Sequence, residues 1–416
     1  MAASRTSPPR IFDLPRTDRV VYGAGARTHL RDEASRLGIT RPLVVASGTL
    51  TTETPFVHEL AESVGAVATT SGIPAHVPRA AVLNVAERFR ELDADGLISV
   101  GGGSPVDCAK GVALCVAASI GTEADFDSYR IRYRHPGPPL IPSLKHLPPP
   151  HISLPTTLSG AEFTAIAGIT DITRGAKDLY AADALCPKVV LLDPEVAART
   201  PRALWVSSGV RAIDHIVEGI YSARHTPVTD AALLGALRIL ARDLPISADA
   251  PDDLSLRTSC QVAAWMAIMH LKNISTGISH GLGHQLGAML NVPHGVTSCI
   301  LLPHAMDFNR PATADRQALL APALGVDTTG ITDEEAAVAA ADAVRDLLAR
   351  LGVPTRLADV GVRRSHFDAL VAEALQDMVI AGNPRPVTAA DARAVLEAAF
   401  QPTIDRPGMG PCPTEP

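Results

Sequence analysis

The spacing of apolar positions along this chain changes once, near residue 200, and that change divides it. Before it, short apolar runs bounded by glycine and proline recur: Arg19–Tyr22, Pro42–Ala46, Gly96–Val100, Ile152–Thr157 and Val189–Pro194, with a weaker one at Gly65–Thr69. Between them, Pro55–Val64 and Ala80–Leu92 place apolar residues three and four apart, as does the segment running to about Ala118. Buried strands alternating with amphipathic helices predict βαβ units and a parallel sheet. After about Arg199 the period is helical throughout, over Arg202–Ala223, Val228–Asp243, Leu254–Met269, Ile278–Leu290, Gly295–Asn309, Glu334–Leu351, Arg364–Gln376 and Ala389–Phe400. A chain of 416 residues exceeds what one core supports, so two domains are expected. They are an α/β domain over 19–198 and an all-helical domain over 199–402, with tails at 1–18 and 403–416.

Composition narrows the function. Aromatic residues are 4% of the chain and the net charge is −7, which disfavours nucleic acid, whose phosphates need a basic face and whose bases need stacking platforms. No apolar run reaches the length of a membrane span. The first ten residues have no apolar h-region, so a cytoplasmic protein is expected. The six cysteines are scattered without a C-x-x-C pair and read as buried thiols.

Two stretches carry candidate chemistry. The strand at Gly96–Val100 runs into Gly101-Gly102-Gly103-Ser104-Pro105-Val106-Asp107 and then a helix. Glycines between strand and helix let a ligand's phosphates approach the backbone, and the helix N-terminus favours their charge. This is neither the G-x-G-x-x-G fingerprint nor a Walker loop, and a plain glycine turn would look similar. The second stretch is Gly277–Gly295. His280 and His284, four apart, stack on one helix face, and His294 follows Pro293 from a turn beyond it. Three imidazoles make most of a transition-metal site, and equally a set of proton donors. Residues 121–150, crowded with proline and carrying three arginines over Tyr129–Arg134, form a long loop suited to a flap or a subunit contact.

Taken in order, GGGSPVDCAK, PTTLSGAEFT, VVLLDPE, DHIVEGIYS, HGLGHQLGAMLNVPHG and NPRPVT resemble the iron-containing alcohol dehydrogenase superfamily over roughly residues 19–400. Within it, Pro74-Ala-His-Val-Pro78, Pro155–Glu162 and Asn383–Pro386 are similar to the maleylacetate reductase branch, whereas GGGSPVD with Asp107 is closer to the general alcohol dehydrogenases. The resemblance implies a Rossmann-like nucleotide-binding domain followed by a helical domain in the dehydroquinate synthase-like fold. It also implies NADH or NADPH as cofactor, and a homodimer. Gly101, Gly102, Gly103 and Ser104 would cradle the pyrophosphate with Asp107, Thr156 and Thr157 nearby, and Lys177 matches a basic position beside the cofactor. Ser47, standing after the second strand where an acidic residue would repel a 2′-phosphate, admits NADPH.

Metal-dependent relatives bind their ion through an Asp, a His four residues later and two histidines of the block. Here His215, His280 and His294 match the three histidines, and Arg211 stands at the Asp position. A guanidinium cannot ligate a cation and repels one. The resemblance therefore implies a metal-independent reductase of an unsaturated or oxo (di)carboxylic acid. Arg211 would hold a carboxylate, and His284 would be the first candidate proton donor among His284, His280, His215 and His294. Two alternatives stay open. One is an iron- or zinc-dependent alcohol dehydrogenase with Asp214 as substitute ligand beside His215, His280 and His294. The other is a non-redox lyase or inactive binding homologue, disfavoured because Lys272 alone represents lysine in the helical half. His270, His304 and His366 fall outside the block and are expected to be structural.

Overall fold

The computed structural model describes residues 11–74, 76–134 and 137–401. Strands β1 (Arg19–Tyr22), β2 (Pro42–Ala46), β3 (Ala68–Ser71), β4 (Gly96–Gly101), β5 (His151–Pro155) and β8 (Val189–Leu192) form one six-stranded parallel sheet in the order β1-β8-β5-β4-β2-β3. The inner strands are buried along their whole length and the edge strands β1 and β3 are not, which is why the inner runs are mostly apolar, with Ser99, His151 and Ser153 the buried polar exceptions. Helices α1 (Leu30–Arg36), α2 (Gly48–Glu53), α3 (Phe56–Ser63), α4 (Arg79–Glu91) and α5 (Gly103–Ala118) cover the sheet. One face packs Leu30, Val57 and Leu60 against Val44 and Ile98; the other packs Val85, Phe89 and Val112 against Leu43 and Leu97. β3 starts later than the expected Gly65, because Gly65 is left-handed (φ 64°) and Ala66 N still donates to Ala61 O of α3.

A two-stranded antiparallel hairpin, β6 (Ile166–Asp171) and β7 (Ala176–Ala181), escaped the hydrophobic pattern, since β7 reads AKDLYA. It presents Lys177 to the interior of the molecule. After the short α6 (Pro194–Ala197) the chain is helical: α7 (Arg202–Ile220), α8 (Pro227–Asp249), α9 (Leu254–Ile268), α10 (Ile278–Leu290), α11 (His294–Ala318), α12 (Leu320–Ala323), α13 (Asp333–Leu351), α14 (Phe367–Ala374) and α15 (Ala389–Phe400). α11 outruns its expected end at Asn309, but Thr313 is non-helical (φ −144°) two residues after Pro311. The apolar period is lost where proline bends the helix. Among the described residues no strand follows Leu192, and no helix is long and apolar enough to cross a membrane.

Residues 11–18, expected as free tail, are pinned: Asp13 N donates to Asn273 Oδ1 at 2.8 Å, and the Phe12 ring meets His270 edge-on at 5.3 Å. Residues 1–10 and the C-terminal tail from 402, with Cys412, lie outside the described residues; the other five cysteines are buried and free.

His151, at the start of β5, gives a stability prediction. It is 3% exposed, its Nε2 meets Ser99 Oγ at 2.8 Å, and its Nδ1 has no partner. Burial pushes its pKa from 6.5 down to about 3, so the folded ring stays neutral where the unfolded ring takes a proton. The contribution to stability is complete above pH 6.5 and is lost as pH falls from there toward about 3. The shift corresponds to a few kcal/mol at most (~1.4 per unit). His151→Leu is expected to flatten the fall in Tm between neutral and acidic pH, read by thermal melts across that range; an unchanged slope would refute it.

Candidate active site

β2 and β4 lie side by side, but the chain leaves them toward opposite edges of the sheet, the position at which open α/β sheets bind nucleotides. There the strand ends open onto a cleft of about 1710 Å³ that runs between sheet and helices. Its first end is lined by Ser47, Gly48, Gly102, Gly103, Ser104, Asp107 and Thr157. Gly101 turns the chain with φ +138°, a conformation that side chains rarely adopt, and a Cβ on Gly102 would stand 3.1 Å from Thr157 Cγ2. The loop is thus stripped of side chains where α5 begins, and α5 has no acidic residue in its first turn. This cradle fits a dinucleotide's phosphates. No carboxylate follows β2 directly; Ser47 stands there, at the residue before α2.

Two expected cofactor contacts lie behind the cleft wall. Thr156 N donates to Gly101 O at 2.9 Å and Thr156 O accepts from Thr200 Oγ1 at 2.7 Å, so Thr156 and Gly101 brace the loop from beneath. Asp107 Oδ2 accepts from Gly168 N at 3.3 Å, tying α5 to β6. Lys110 is fully buried and donates to Ala161 O at 2.6 Å and Ile166 O at 2.8 Å, a structural tie outside the cleft lining. The 121–150 loop does reach the site, since Arg130, Tyr133, Gly137 and Pro139 line the cleft.

The other end is built by three helices. Arg211 and His215, four apart on α7, point the same way, as do His280 and His284 on α10. His294 comes from the first position of α11, with Pro293 as its N-cap, and not from a free turn as its flanking proline and glycine suggest. Its ring rests on Gly287, where a Cβ would be 3.0 Å from His294 Cε1. The rings form two pairs: His215 and His280 at 4.7 Å between centroids, and His284 and His294 at 5.9 Å. Burial, and then the charge of neighbours that include Arg211, hold His215, His280 and His294 well below the usual imidazole pKa, so these rings are neutral. His284 Nδ1 meets Asp377 Oδ2 at 2.8 Å, leaving Nε2 toward the cleft.

Arg211 is no surface residue: its side chain is 11% exposed. Its Nη1 donates to Ser298 Oγ at 3.1 Å and to Asp214 Oδ2 at 3.4 Å, while Nε and Nη2 bond nothing among the described residues. Asp214 faces away from the cleft, as its position next to His215 on the helix demands. Its Oδ2 accepts from Ser298 Oγ at 2.6 Å and Ser279 Oγ at 3.0 Å. The substitute set of His215, His280, His294 and Asp214 is therefore not assembled; the described residues instead group Asp214, Glu218 and His280. In that group Glu218 already accepts from Gly277 N at 2.7 Å and Ser279 N at 3.0 Å, capping the start of α10. Asn383 completes the cap, accepting from Ile278 N at 3.1 Å. A divalent cation among the cleft imidazoles would find Asp377 tied to His284 and Asp214 tied to Ser279, Ser298 and Arg211, and it would face the Arg211 guanidinium, a repulsion of roughly several kcal/mol. The donor set does not fit the ion.

The sequence does not single out Asp377, which pairs with a histidine 93 residues away. Nor does it place His76, which lines the cleft and meets the His294 ring at 6.3 Å, although the His-Val-Pro element flags it. His270 and His304 lie outside the cleft lining, as does the half-buried His366, which accepts from Arg363 N.

Comparison with known proteins gives the geometry its context. Residues 17–194 match the family model of iron-containing alcohol dehydrogenase, and residues 205–400 that of the C-terminal Fe-containing alcohol dehydrogenase family. The chain is 31% identical over 389 residues to maleylacetate reductase 1 of Cupriavidus pinatubonensis, covering 92% of this chain and 95% of that one. It is 33% identical over 385 residues to lactaldehyde reductase of Escherichia coli K12, covering 89% and 94%. In structure it is similar to maleylacetate reductase from Agrobacterium tumefaciens, with a TM-score of 0.77 at 27% identity over 95% of this chain and 99% of that one. 1,3-propanediol oxidoreductase superposes with a TM-score of 0.86 at 28% identity, over 94% and 100%. The chain belongs to the iron-containing alcohol dehydrogenase family and is an NAD(P)-dependent oxidoreductase.

Proposed function

We propose that the enzyme reduces an unsaturated or oxo (di)carboxylic acid, in the manner of a maleylacetate reductase, with NADH or NADPH and without a metal ion. One observation carries this reading: a buried guanidinium, Arg211, stands among the cleft imidazoles with an N–H edge that has no partner among the described residues. A planar fork of donors matches a carboxylate and stabilises the enolate that develops on reduction. Gly102, Gly103, Ser104 and Thr157 would hold the nicotinamide dinucleotide, which supplies the hydride when bound. Ser47 leaves room for a 2′-phosphate.

The chain's own residues do the remaining work. Arg211 orients the acid and takes up negative charge; His284, fixed through Nδ1 on Asp377, delivers the balancing proton from Nε2. The neutral His215 and His280, with His294, present N–H groups or lone pairs to the substrate and fill space that water would occupy. The cytoplasm and a homodimer belong to the same reading; Tyr22, exposed on the edge strand β1, suits a dimer contact.

The test is metal analysis of purified enzyme, together with NADPH oxidation on maleylacetate before and after chelation. The expected result is no stoichiometric iron or zinc and an unchanged rate. Stoichiometric metal, with activity lost to the chelator, would refute metal independence.

A further inference from the structure

We infer that His76 is a specificity residue that binds the second, distal carboxylate of a dicarboxylate substrate; this rests on the acid-reductase reading above. His76 and Val77 are consecutive non-glycine residues in the left-handed region, with φ 62° and 52°. For a β-branched residue such as Val77 that conformation is an outlier, and it persists only where neighbours hold it. Thr170 of β6 does so: its Oγ1 donates to His76 O at 2.6 Å and its N to Val77 O at 2.9 Å, while the Val77 side chain is buried in the sheet core. A turn that merely joined β3 to α4 would take glycine or asparagine there.

What the strained turn delivers is an imidazole on the sheet side of the cleft, opposite the helices. The His76 ring stands edge-on to His294 at 6.3 Å and 84°, hydrogen-bonded to the Asn291 side chain. Lys177 on β7 lies close enough for its charge to act on both His76 and His294. Among the described residues its ammonium has no hydrogen-bond or ion-pair partner, and Asp107 is the carboxylate whose charge it feels. Asp377, the other acid on the cleft wall that matters here, is tied to His284. A neutral imidazole carries one N–H and one lone pair, so in the tautomer in which the Asn291 amide donates to one nitrogen of His76 the other presents its N–H to an anion. Arg211 on α7 lies close enough for its charge to act on Lys177, so Arg211, Lys177 and His76 together can take up two negative groups of one substrate. Lys177 supplies the field there, and His76 supplies the directed N–H.

The test compares wild type, His76→Phe and His76→Gln on maleylacetate and on 4-oxopent-2-enoate, the same skeleton without the distal carboxylate. Wild type is expected to favour the diacid in kcat/KM by ~10-fold or more, the size of a charge-assisted hydrogen bond. His76→Phe should erase most of that preference, and His76→Gln, which keeps an N–H donor, should retain part of it. Equal losses on both substrates, or an unchanged ratio, would overturn the assignment while leaving the acid-reductase reading intact. Reduction of neither acid by wild type would overturn that reading instead. Calorimetric binding of succinate against butyrate then decides the His76 assignment by itself: a dianion preference that vanishes in His76→Phe supports it, and equal affinities or a preference that survives overturn it.

Discussion

Replacing Arg211 by leucine is expected to lower kcat/KM for the acid substrate by about 10²–10³. That follows from the roughly 3–4 kcal/mol at stake when a charge-assisted, largely desolvated donor pair is removed from a developing negative charge. The loss should fall on kcat as well as KM, because the enolate carries more charge than the ground-state carbonyl. The same change strands Asp214, which is fully buried and has Arg211 as its cationic neighbour. Burial and the neighbouring Glu218 already raise the Asp214 carboxyl to about 7, so without Arg211 it takes up a proton, and thermal melts accompany the kinetics to read what that change costs. Arg211→Lys separates the two effects: it keeps the charge beside Asp214 and loses the planar fork, so Tm should be held while kcat/KM still falls at least ~10-fold. A leucine variant with a normal rate on the acid would refute the role given to Arg211.

The second large effect concerns the proton. His284→Gln should reduce kcat by about 10²–10⁴, the range for loss of a positioned general acid, with substrate binding little changed. Asp377→Asn should act in the same direction but more weakly, about 10-fold, because the imidazole survives and what is lost is the carboxylate that fixes its orientation. Solvent deuterium isotope effects on single-turnover nucleotide oxidation provide the check: the Asn variant should show a larger effect than wild type as proton delivery becomes limiting. If both variants retain wild-type kcat, the donor is another group. If kcat is normal and KM alone rises, His284 is a binding residue.

Much of this site is legible in the linear chain, and the reasons are local. The spacing of four that stacks His280 over His284, and Arg211 over His215, is helix geometry, which holds wherever the helix sits. The glycine run at 101–103 is legible because a backbone with φ +138°, and a loop wall at 3.1 Å from Thr157, exclude side chains whatever the ligand. What is not legible has sequence separations near 100. Asp377 and His284 are 93 residues apart, and Thr170 clamps His76 from 94 residues away. The β6–β7 hairpin that carries Lys177 lacks a strong apolar alternation, because cross-strand pairing and its packing on α5 form it.

The case of Asp214 marks the division. The sequence by itself determined that Arg211 and His215 share a helix face; successive helical side chains diverge by about 100°, which counts against Asp214 joining His215 but left it open as a substitute ligand. It determined equally the parallel sheet, the helical half and the glycine loop between strand and helix, all of which follow from short-range periodicity and backbone sterics. Where Asp214 points was decided by tertiary structure, which buries it against Ser279 and Ser298 as the counter-ion of Arg211. Tertiary structure also decided that Glu218 caps α10 and is not a cleft ligand, that Thr156 braces the loop from behind, and that His76 faces His294 across the cleft. Each of these depends on a neighbour brought in by packing, and a single chain does not encode that neighbour within reach of any local rule.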